Sequence, residues 1–356
     1  MEAVKELEKF REKVNKKLNF FFNKKIKKAA KVDPFAEKVA KKLREFTLRA
    51  GKRIRPTMMR YGYIASGGKK LKDIEETCIA LEIIHTWLLI HDDIIDDDDM
   101  RHGGMAFHKM FSEVKNRHRT KTAKHGDFGI SVTIATGDMA AALGYEILAK
   151  SDFPSDRKVE AIKGLSDVLI KVGQGEFLDV LLERKENVKD EDIFKVYFLK
   201  TGCYTMSGPL RLGAMLAGAS DKILKGFEHY GYNLGVGFQI QDDILGMFGD
   251  EKKLGKPSDS DIKEGKRTLL VTHALKDGTK AQQRKIRSVL GNAKATKKDI
   301  DEVRKIFIET GSLEYSKNLA KEFAKKSRSI AGGMEIKKEG KDFLEGIADY
   351  IVEREY

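Results

Sequence analysis

The stretch LLIHDDIIDDDDMRHG, residues 88–103, carries six aspartates in eight positions directly after an apolar run. The residues around these acids are ones that bury in folded proteins: Leu88, Leu89, Ile90, Ile94 and Ile95. On one helix through this stretch, Asp92 and Asp96 are four residues apart and share a face, with Asp93 beside them. Carboxylates held this close repel one another unless they are protonated, solvated or bridged by cations.

A second acidic pair follows another apolar helical segment, in GFQIQDDILGMFGD, residues 237–250. It consists of Asp242 and Asp243, and Gln239 precedes the first of them by three residues. Oxygen ligands with hard charge suit Mg²⁺, which keeps several waters and bridges readily to phosphate oxygens. Two such pairs facing one cavity would hold a group of Mg²⁺ ions around a diphosphate.

Basic residues flank both acidic clusters. They are Lys52, Arg53 and Arg55 in AGKRIRP (50–56), Arg101 after the first cluster, Lys200 in LKTGCYT, and Lys256 and Lys266 after the second cluster. A single lysine at the surface is not evidence of any particular function. This many cations beside acids that are expected to be buried indicates binding of more than one diphosphate.

The spacing of apolar residues predicts an all-α fold of about ten to twelve helices. Apolar residues recur at intervals of three and four, with no alternating runs typical of strands. One such face consists of Val4, Leu7, Phe10, Val14, Leu18 and Phe21, and a pair of helices near the end is broken at Gly311. No long linker divides the chain, so we expect one domain over residues 1–356, with a basic N-terminal helix (1–31) and an exposed basic loop (112–128).

The net charge of +13 belongs to residues 1–60, which hold 20 Lys and Arg against 7 Asp and Glu, while the other 296 residues hold 48 of each. A solvated helix face is the favoured interpretation, and no nucleic-acid motif accompanies the charge. Weak contact of the basic N-terminus with an anionic membrane surface is the alternative. No apolar run reaches the roughly 18 residues of a membrane span, and the charged N-terminus lacks a signal-peptide pattern. We therefore expect a cytoplasmic protein.

The motifs occur in the order GKRIRP, the first aspartate stretch, TGDM (136–139), GEFLDV (175–180), KTG (200–202) and the segment 237–268. In this set and order the chain resembles the trans-isoprenyl diphosphate synthases, over roughly residues 35 to 285. It looks most like the archaeal-type geranylgeranyl or farnesyl diphosphate synthases. The resemblance implies a helical bundle around a central cavity, a homodimer and a Mg²⁺-dependent prenyltransferase.

The resemblance also implies roles for individual residues. Two or three Mg²⁺ ions would be bound by Asp92, Asp96 and Asp242, with Asp93 and Asp243 supporting them. The allylic diphosphate would be held by Arg101, Lys200 and Lys256, with Gln239 and Lys266 nearby. Isopentenyl diphosphate would be held by Lys52, Arg55, His85 and His102. Thr201 and Gln239 would stabilise the carbocation, so the catalytic set is Asp92, Asp96, Lys200, Thr201, Gln239 and Asp242.

Three positions depart from the family pattern. Glu176 stands where the family usually has a glutamine, and His102 stands where it has an arginine. A neutral histidine binds a diphosphate less strongly than an arginine does. Gly246 stands where bacterial and eukaryotic members carry a third aspartate, which archaeal-type members often lack.

Helix geometry suggests the length of the product. If the diphosphate lies at Asp92, the growing prenyl tail of the substrate would extend back along this helix. One helical turn of about 5.4 Å matches an extended five-carbon unit. Leu88 lies one turn back and Ile84 two turns back, and Trp87 stands where the family has a bulky aromatic residue as the pocket floor. This pattern favours a geranylgeranyl product, with farnesyl diphosphate as the alternative.

Two other functions are compatible with aspartate-rich helices. A cyclase or a head-to-head synthase would not need the isopentenyl site of Lys52, Arg55 and His85. A non-catalytic partner subunit would generally lose one aspartate motif, whereas both are present here. A catalytic elongating enzyme is therefore the favoured hypothesis.

Overall fold

The structure is a computed structural model that describes residues 2–49, 51–112, 128–185, 187–249 and 260–353. Helices dominate these residues, which confirms the predicted all-α class. Short helices between the long ones raise their number somewhat above the expected ten to twelve. The α-helices are α1 Glu2–Ala29, α2 Pro34–Leu48, α3 Ile54–Ala65, α4 Leu71–Thr77, α5 Ile79–Ile95, α6 Phe128–Ala149, α7 Ser155–Glu183, α8 Asp190–Val196, α9 Gly208–Ala217, α10 Asp221–Phe248, α11 Ser260–Glu264, α12 Leu269–Asp277, α13 Lys280–Val289, α14 Lys297–Glu309, α15 Ser312–Gly333 and α16 Lys338–Glu353.

The chain divides into two compact units. The first-motif unit contains Glu6–Thr57 and Lys70–Lys158, and the second-motif unit contains Met1–Lys5, Met58–Lys69 and Val159–Tyr356. The expectation of one functional domain over the whole chain stays a prediction. The predicted basic loop at 112–128 lies almost wholly outside the described residues.

In the first-motif unit, α5 packs along α6 through two glycines. A Cβ at Gly144 would come within 2.6 Å of Ile84 Cδ1, and a Cβ at Gly137 would overlap the ring of His91. Glycine at these positions therefore brings the two helix backbones close together. The close packing fixes α5 along the length that ends in the first aspartates.

The prediction of one helix through residues 88–103 is wrong beyond Ile95. The chain leaves the helix because Asp97 adopts a left-handed φ of 52°, a conformation that few residues other than glycine tolerate. A two-residue hairpin follows, in which Met100 pairs with Met105 and Arg101 with Gly104. The hairpin turns Arg101 back toward the acids at the end of α5, and a 3₁₀ turn, His108–Phe111, comes next.

In the second-motif unit, α10 packs against α15 and against a π-helix at Tyr197–Ser207. A Cβ at Gly235 of α10 would overlap Gly202 of the π-helix, so the two backbones meet through a pair of glycines. π-Helical turns are rare and are concentrated at functional sites. This one carries the KTG segment, and the sequence analysis did not predict it.

Local sequence sets two of the helix boundaries. Asp33 caps α2 by accepting a hydrogen bond from the Phe35 N–H at 2.6 Å, with Pro34 in the first turn. Gly311 has a φ of 72° between α14 and α15, which confirms the predicted break between the last long amphipathic pair.

The basic helix predicted at 1–31 is present as α1. Its buried side repeats at Val14, Leu18, Phe22 and Ile26. Phe22 is buried rather than the predicted Phe21, because the four-residue step from Leu18 keeps the side chain on the core face. None of the helices in the described part of the chain combines the length and apolar character that a membrane crossing requires.

Candidate active site

The first acidic cluster is organised by one buried carboxylate and one arginine. Asp93 is fully buried, and its Oδ1 accepts a hydrogen bond from Arg101 Nε at 2.6 Å. The same guanidinium donates to Asp98 Oδ2 at 2.6 Å and lies 3.8 Å from Asp92 Oδ2. Arg101, predicted to hold a diphosphate, is thus already paired with the acids around it.

The Asp93 carboxyl can accept a further positively charged partner besides Arg101. Burial raises the pKa of its carboxyl to about 6, against the opposing effect of Arg101. Its second oxygen, Oδ2, is buried and has no hydrogen-bond partner among the described residues. An orphaned buried acceptor of this kind is costly unless a donor or cation occupies the space beside it.

The other two predicted ligands of the first motif lie at the surface of the same helix end. Asp92 and Asp96 are half-buried, and the Asp96 N–H donates to the Asp92 carbonyl at 2.9 Å. The two residues are therefore one turn apart, as predicted. The further aspartates differ, since Asp97 and Asp99 are exposed beside Lys109.

The GKRIRP segment contains one arginine that holds the fold together and two basic residues that are candidate diphosphate ligands. Arg53 is buried and pairs with Glu82 at 2.7 Å. It also donates to the carbonyls of Thr47 at 2.9 Å and Arg49 at 3.0 Å, at the end of α2. Lys52 and Arg55 on either side are half-buried, and their role in binding isopentenyl diphosphate stays a prediction.

The two histidines predicted at the isopentenyl site are held in the neutral form. Burial and the positive charge of Arg55 lower the pKa of His85 well below its usual range. His102 keeps part of its surface exposed, yet desolvation and Arg101 lower its pKa to about 4. Both rings are therefore uncharged at pH 7.

The chain-length residues lie on successive turns of α5. Ile84 is buried against Gly144, and Leu88 and Trp87 are half-buried. Trp87 Nε1 donates to His91 Nδ1 at 3.2 Å, and His91 Nε2 lies 3.3 Å from the Ile134 carbonyl. Because the indole N–H can only donate, Nδ1 of His91 must accept this hydrogen bond. The neutral ring then carries its proton on Nε2, and both ring nitrogens have hydrogen-bond partners.

Like the first cluster, the second acidic cluster combines buried and half-buried carboxylates, here the buried Asp243 and the half-buried Asp242. Asp243 is buried and accepts hydrogen bonds from the Tyr197 hydroxyl and, at 3.1 Å, from Gln239 Nε2. Burial and the neighbouring acids Asp261 and Asp242 raise its pKa to about 8, even though both hydrogen bonds oppose the shift. Without a bound metal ion, Asp243 is therefore mostly protonated at neutral pH.

Lys200 and Thr201 lie on the π-helix, opposite the GEFLDV segment of α7. Lys200 Nζ donates to Asp179 at 2.8 Å and to Glu176 at 3.1 Å. A Cβ at Gly175 would overlap the backbone of Lys200, so this glycine permits the close approach. Glu176, a departure from the family pattern, is thus a second acidic partner of the lysine.

A cavity of about 270 Å³ collects most of the predicted second-motif residues. The predicted residues that line it are Lys200, Thr201, Gln239, Asp242, Asp243 and Lys266, and those to which the sequence analysis gave no role include Asp179, Tyr197, Asp261 and Arg267. Lys256 lies outside the described residues. In the sequence, the signal that could have identified these further residues is their position within or beside the quoted motifs.

Asp261 lies beside the glycine that replaces the family's third aspartate. A Cβ at Gly246 would come within 2.7 Å of Asp261 Oδ2. Lys266 contacts Glu264 at 2.8 Å and lies 3.9 Å from Asp261. A carboxylate from outside the motif therefore occupies the space next to Gly246.

Comparison with known proteins agrees with these features. The Polyprenyl synthetase family model matches residues 36–307. A geranylgeranyl diphosphate synthase of Methanosarcina mazei is 32% identical, over 86% of this chain and 86% of its own. A geranylfarnesyl diphosphate synthase of Aeropyrum pernix is 33% identical, over 85% of this chain and 90% of its own.

A solved structure shows the same fold along nearly the whole chain. It is a geranylgeranyl pyrophosphate synthase of Corynebacterium glutamicum, complexed with isoprenyl diphosphate and magnesium, with a TM-score of 0.89 and 31% identity. The match covers 98% of this chain and 99% of that one. The chain therefore belongs to the polyprenyl synthetase family and is a prenyltransferase that makes prenyl diphosphates.

Proposed function

We propose that this prenyltransferase condenses isopentenyl diphosphate head-to-tail with allylic diphosphates and that its main product is geranylgeranyl diphosphate. The observation that carries the proposal is the second-motif cavity, in which Asp242 and Asp243 share one space with Lys200 and Lys266. Acids and cations lining the same cavity suit a ligand made of metal ions and a diphosphate. The whole chain, residues 1–356, is proposed to work as one catalytic domain.

The acids fit a divalent cation. The buried Asp93 Oδ2 has no donor among the described residues, and Asp243, with a pKa of about 8, would release its proton when a cation binds. A relative solved with magnesium supports the use of a divalent metal. Two or three Mg²⁺ ions would be held by Asp92, Asp93, Asp96, Asp242 and Asp243. When bound, Mg²⁺ neutralises charge on the leaving diphosphate.

The side chains of the protein divide the remaining work. The allylic diphosphate is bound by Arg101, Lys200, Gln239, Lys256 and Lys266, and isopentenyl diphosphate by Lys52, Arg55, His85 and His102. Hydrogen-bond donors and cations placed around the leaving oxygen favour breakage of the allylic C–O bond. The electron pair leaves with the diphosphate, and an allylic carbocation remains.

The new carbon–carbon bond then forms without a nucleophilic side chain. The double bond of isopentenyl diphosphate attacks the cation, and the released diphosphate takes the proton that is lost. The oxygen dipoles of Thr201 and Gln239 stabilise the positive charge. Asp179 and Glu176 orient Lys200 toward the leaving group through their hydrogen bonds.

The C20 length rests on the residues of α5 behind Asp92. The buried Ile84, and Leu88 one turn closer to Asp92, are aliphatic, whereas Trp87 is the bulky residue proposed to form the floor. Farnesyl diphosphate is the alternative product, since tryptophan is larger than the aromatic residues more usual at this position. The geranylgeranyl synthase from M. mazei, similar over 86% of this chain, supports C20, whereas the A. pernix relative is a geranylfarnesyl synthase, whose product is one five-carbon unit longer.

A homodimer is the proposed assembly. On α7, Ile170, Phe177 and Leu181 are 60%, 64% and 57% exposed and share one face through their spacing of seven and four. Such an exposed apolar stripe is typical of an interface between subunits. Light scattering after gel filtration should give a dimer mass for the natural chain and a monomer mass for the Ile170→Glu, Leu181→Glu variant. A monomeric natural chain would refute this assembly.

A non-catalytic partner subunit is the second candidate, although the acids of both motifs are present. Steady-state turnover with Mg²⁺, after EDTA, and after Mg²⁺ is added back distinguishes the two. The proposed enzyme loses product formation with EDTA and regains it with Mg²⁺, whereas a partner subunit forms no product under any of these conditions. A cytoplasmic location stays a prediction.

A further inference from the structure

The outward side of the C-terminal half of α1 is rich in lysine. Residues 13–31 contain eight lysines and no Asp, Glu or Arg. The core side of the helix buries Val14, Leu18, Phe22 and Ile26. The opposite side, called here the lysine face, consists of Lys13, Lys16, Lys17, Phe20, Lys24, Lys27 and Lys28.

Some lysines of this helix hold it to its own unit, and others do not. Lys13 pairs with Glu75 at 3.2 Å, and Lys25 pairs with Glu146. Hydrogen bonds from Lys150 and Lys25 lower the pKa of Glu146 to about 2, so this acid is charged at neutral pH. In contrast, Lys16, Lys24 and Lys27 are exposed and pair with no carboxylate in the described part of the chain.

An exposed aromatic side chain lies in the middle of this positive surface. Phe20 is 63% exposed, and Lys24 Nζ lies 4.2 Å from the centre of its ring. Phe20 also lies at a groove of about 730 Å³ that is lined by apolar side chains, Phe21, Ile79 and Ile147, and by both lysines and acids, the acids being Asp73, Glu76, Glu146 and Asp152. The exposed Phe20 ring therefore places apolar surface within the lysine face.

We propose that the lysine face of α1 docks on the surface of an anionic lipid bilayer. Each lysine near such a surface strengthens binding by about fivefold, and an aromatic ring can enter the boundary between head groups and acyl chains. A nucleic acid is the less suitable partner, because residues 13–31 lack arginine, the side chain most suited to nucleic-acid recognition, and present an exposed phenylalanine instead. The inference goes beyond the proposed reaction and does not depend on the length of its product.

Sedimentation of the full chain with lipid vesicles tests this proposal. At 0.1 M salt, the protein should bind phosphatidylglycerol–phosphatidylcholine vesicles and leave pure phosphatidylcholine vesicles unbound. The Lys16→Gln, Lys24→Gln, Lys27→Gln variant should bind the anionic vesicles on the order of 100-fold more weakly. The Phe20→Ser variant should lose several-fold, and 0.5 M salt should release the natural protein.

A matched control changes three exposed lysines on α15, Lys317, Lys321 and Lys325, to glutamine. This control should bind like the natural protein. Thermal melting and turnover without vesicles should be unchanged in both triple variants, because the altered side chains face solvent. A Phe20→Trp variant gives an independent readout, since its fluorescence should shift to the blue only with anionic vesicles.

Several outcomes would overturn the proposal. They are equal binding to both vesicle types, full binding by the α1 triple variant, an equal loss in the α15 control, or an unshifted Phe20→Trp spectrum. Tighter binding to duplex DNA than to anionic vesicles would assign the lysine face to nucleic acid instead.

Discussion

At the scale of single residues, the site depends on two carboxyl groups whose burial disfavours their ionised form and raises their pKa. Asp93 has a pKa of about 6 and Asp243 a pKa of about 8, both raised chiefly by burial. A carboxyl with a raised pKa binds its proton more tightly in the folded chain than in the unfolded chain. Its contribution to stability is therefore present at low pH and is lost as the pH rises toward the folded pKa.

Asp243 gives a prediction for the metal-free protein. Between pH 6 and pH 8 in EDTA, the free energy of unfolding should fall with pH, by at most about 1.4 kcal/mol per pH unit for this one proton. In the Asp243→Asn variant this slope should largely disappear, whereas Asp93 contributes mainly below pH 6. Thermal unfolding across the pH range measures both slopes. Equal slopes in the two proteins would show that Asp243 does not carry the proton.

His102 gives a second prediction. With a pKa of about 4, the ring is neutral at pH 7 and adds no positive charge to the isopentenyl site. The His102→Arg variant should lower the KM for isopentenyl diphosphate by up to about tenfold, with little change in kcat, because a charged hydrogen bond replaces a neutral one. Steady-state kinetics at saturating allylic substrate measure the effect. An unchanged or higher KM would remove His102 from the site.

At the scale of secondary-structure elements, glycines set how closely the functional helices approach. Gly235 of α10 meets Gly202 next to Thr201, so this contact supports the turn that carries Lys200 and Thr201. The Gly235→Ala variant should lose about 1–3 kcal/mol of stability through overpacking, and its kcat should fall as the π-helix shifts. Chemical unfolding and turnover would be compared in the same preparation.

Gly173 is the matched control for that substitution. It lies within α7, and an added Cβ would meet nothing within 4 Å. Gly173→Ala should therefore leave turnover unchanged and raise stability by up to about 1 kcal/mol, as expected for a helix interior. If both substitutions have the same effect, the contact between α10 and the π-helix is not what matters.

The floor on α5 gives a prediction about product length. The Trp87→Ala variant should extend part of the product beyond C20, because the largest side chain behind the first motif is removed. His91→Ala removes the hydrogen-bond partner of Trp87 but keeps the indole, and its product should stay at C20. Chromatography of the dephosphorylated products measures the lengths. An unchanged C20 product from Trp87→Ala would place the floor elsewhere.

The sequence analysis succeeded where local chemistry decides local structure. The aspartate pairs were located correctly at the ends of α5 and α10, because acids that follow an apolar helical face are unusual. Gly311 marks a helix boundary because glycine readily adopts the left-handed backbone conformation found there. These features depend on residues close together in the sequence.

Features that depend on tertiary packing were missed. The turn after Ile95 needs a left-handed Asp97, which aspartate tolerates but does not demand. The π-helix around Thr201 depends on the fit between Gly202 and Gly235. Likewise, nothing in GKRIRP distinguishes the structural Arg53 from its neighbours, because its partner Glu82 lies 29 residues further along the chain.

At the scale of the whole molecule, the family match spans residues of both compact units. Each unit contributes one acidic motif, with Asp93 buried in one and Asp243 buried in the other. A reaction that needs both motifs therefore needs the whole chain. Neither unit alone should turn over substrate.

The most direct measurement of the central claim is the product formed from labelled isopentenyl diphosphate. The purified full chain would be incubated with Mg²⁺ and, separately, with dimethylallyl, geranyl or farnesyl diphosphate, and the products dephosphorylated and chromatographed. We expect geranylgeraniol from all three starters. Farnesol as the end point would contradict the proposed C20 product, and the absence of any prenyl alcohol would contradict the assignment as an elongating synthase.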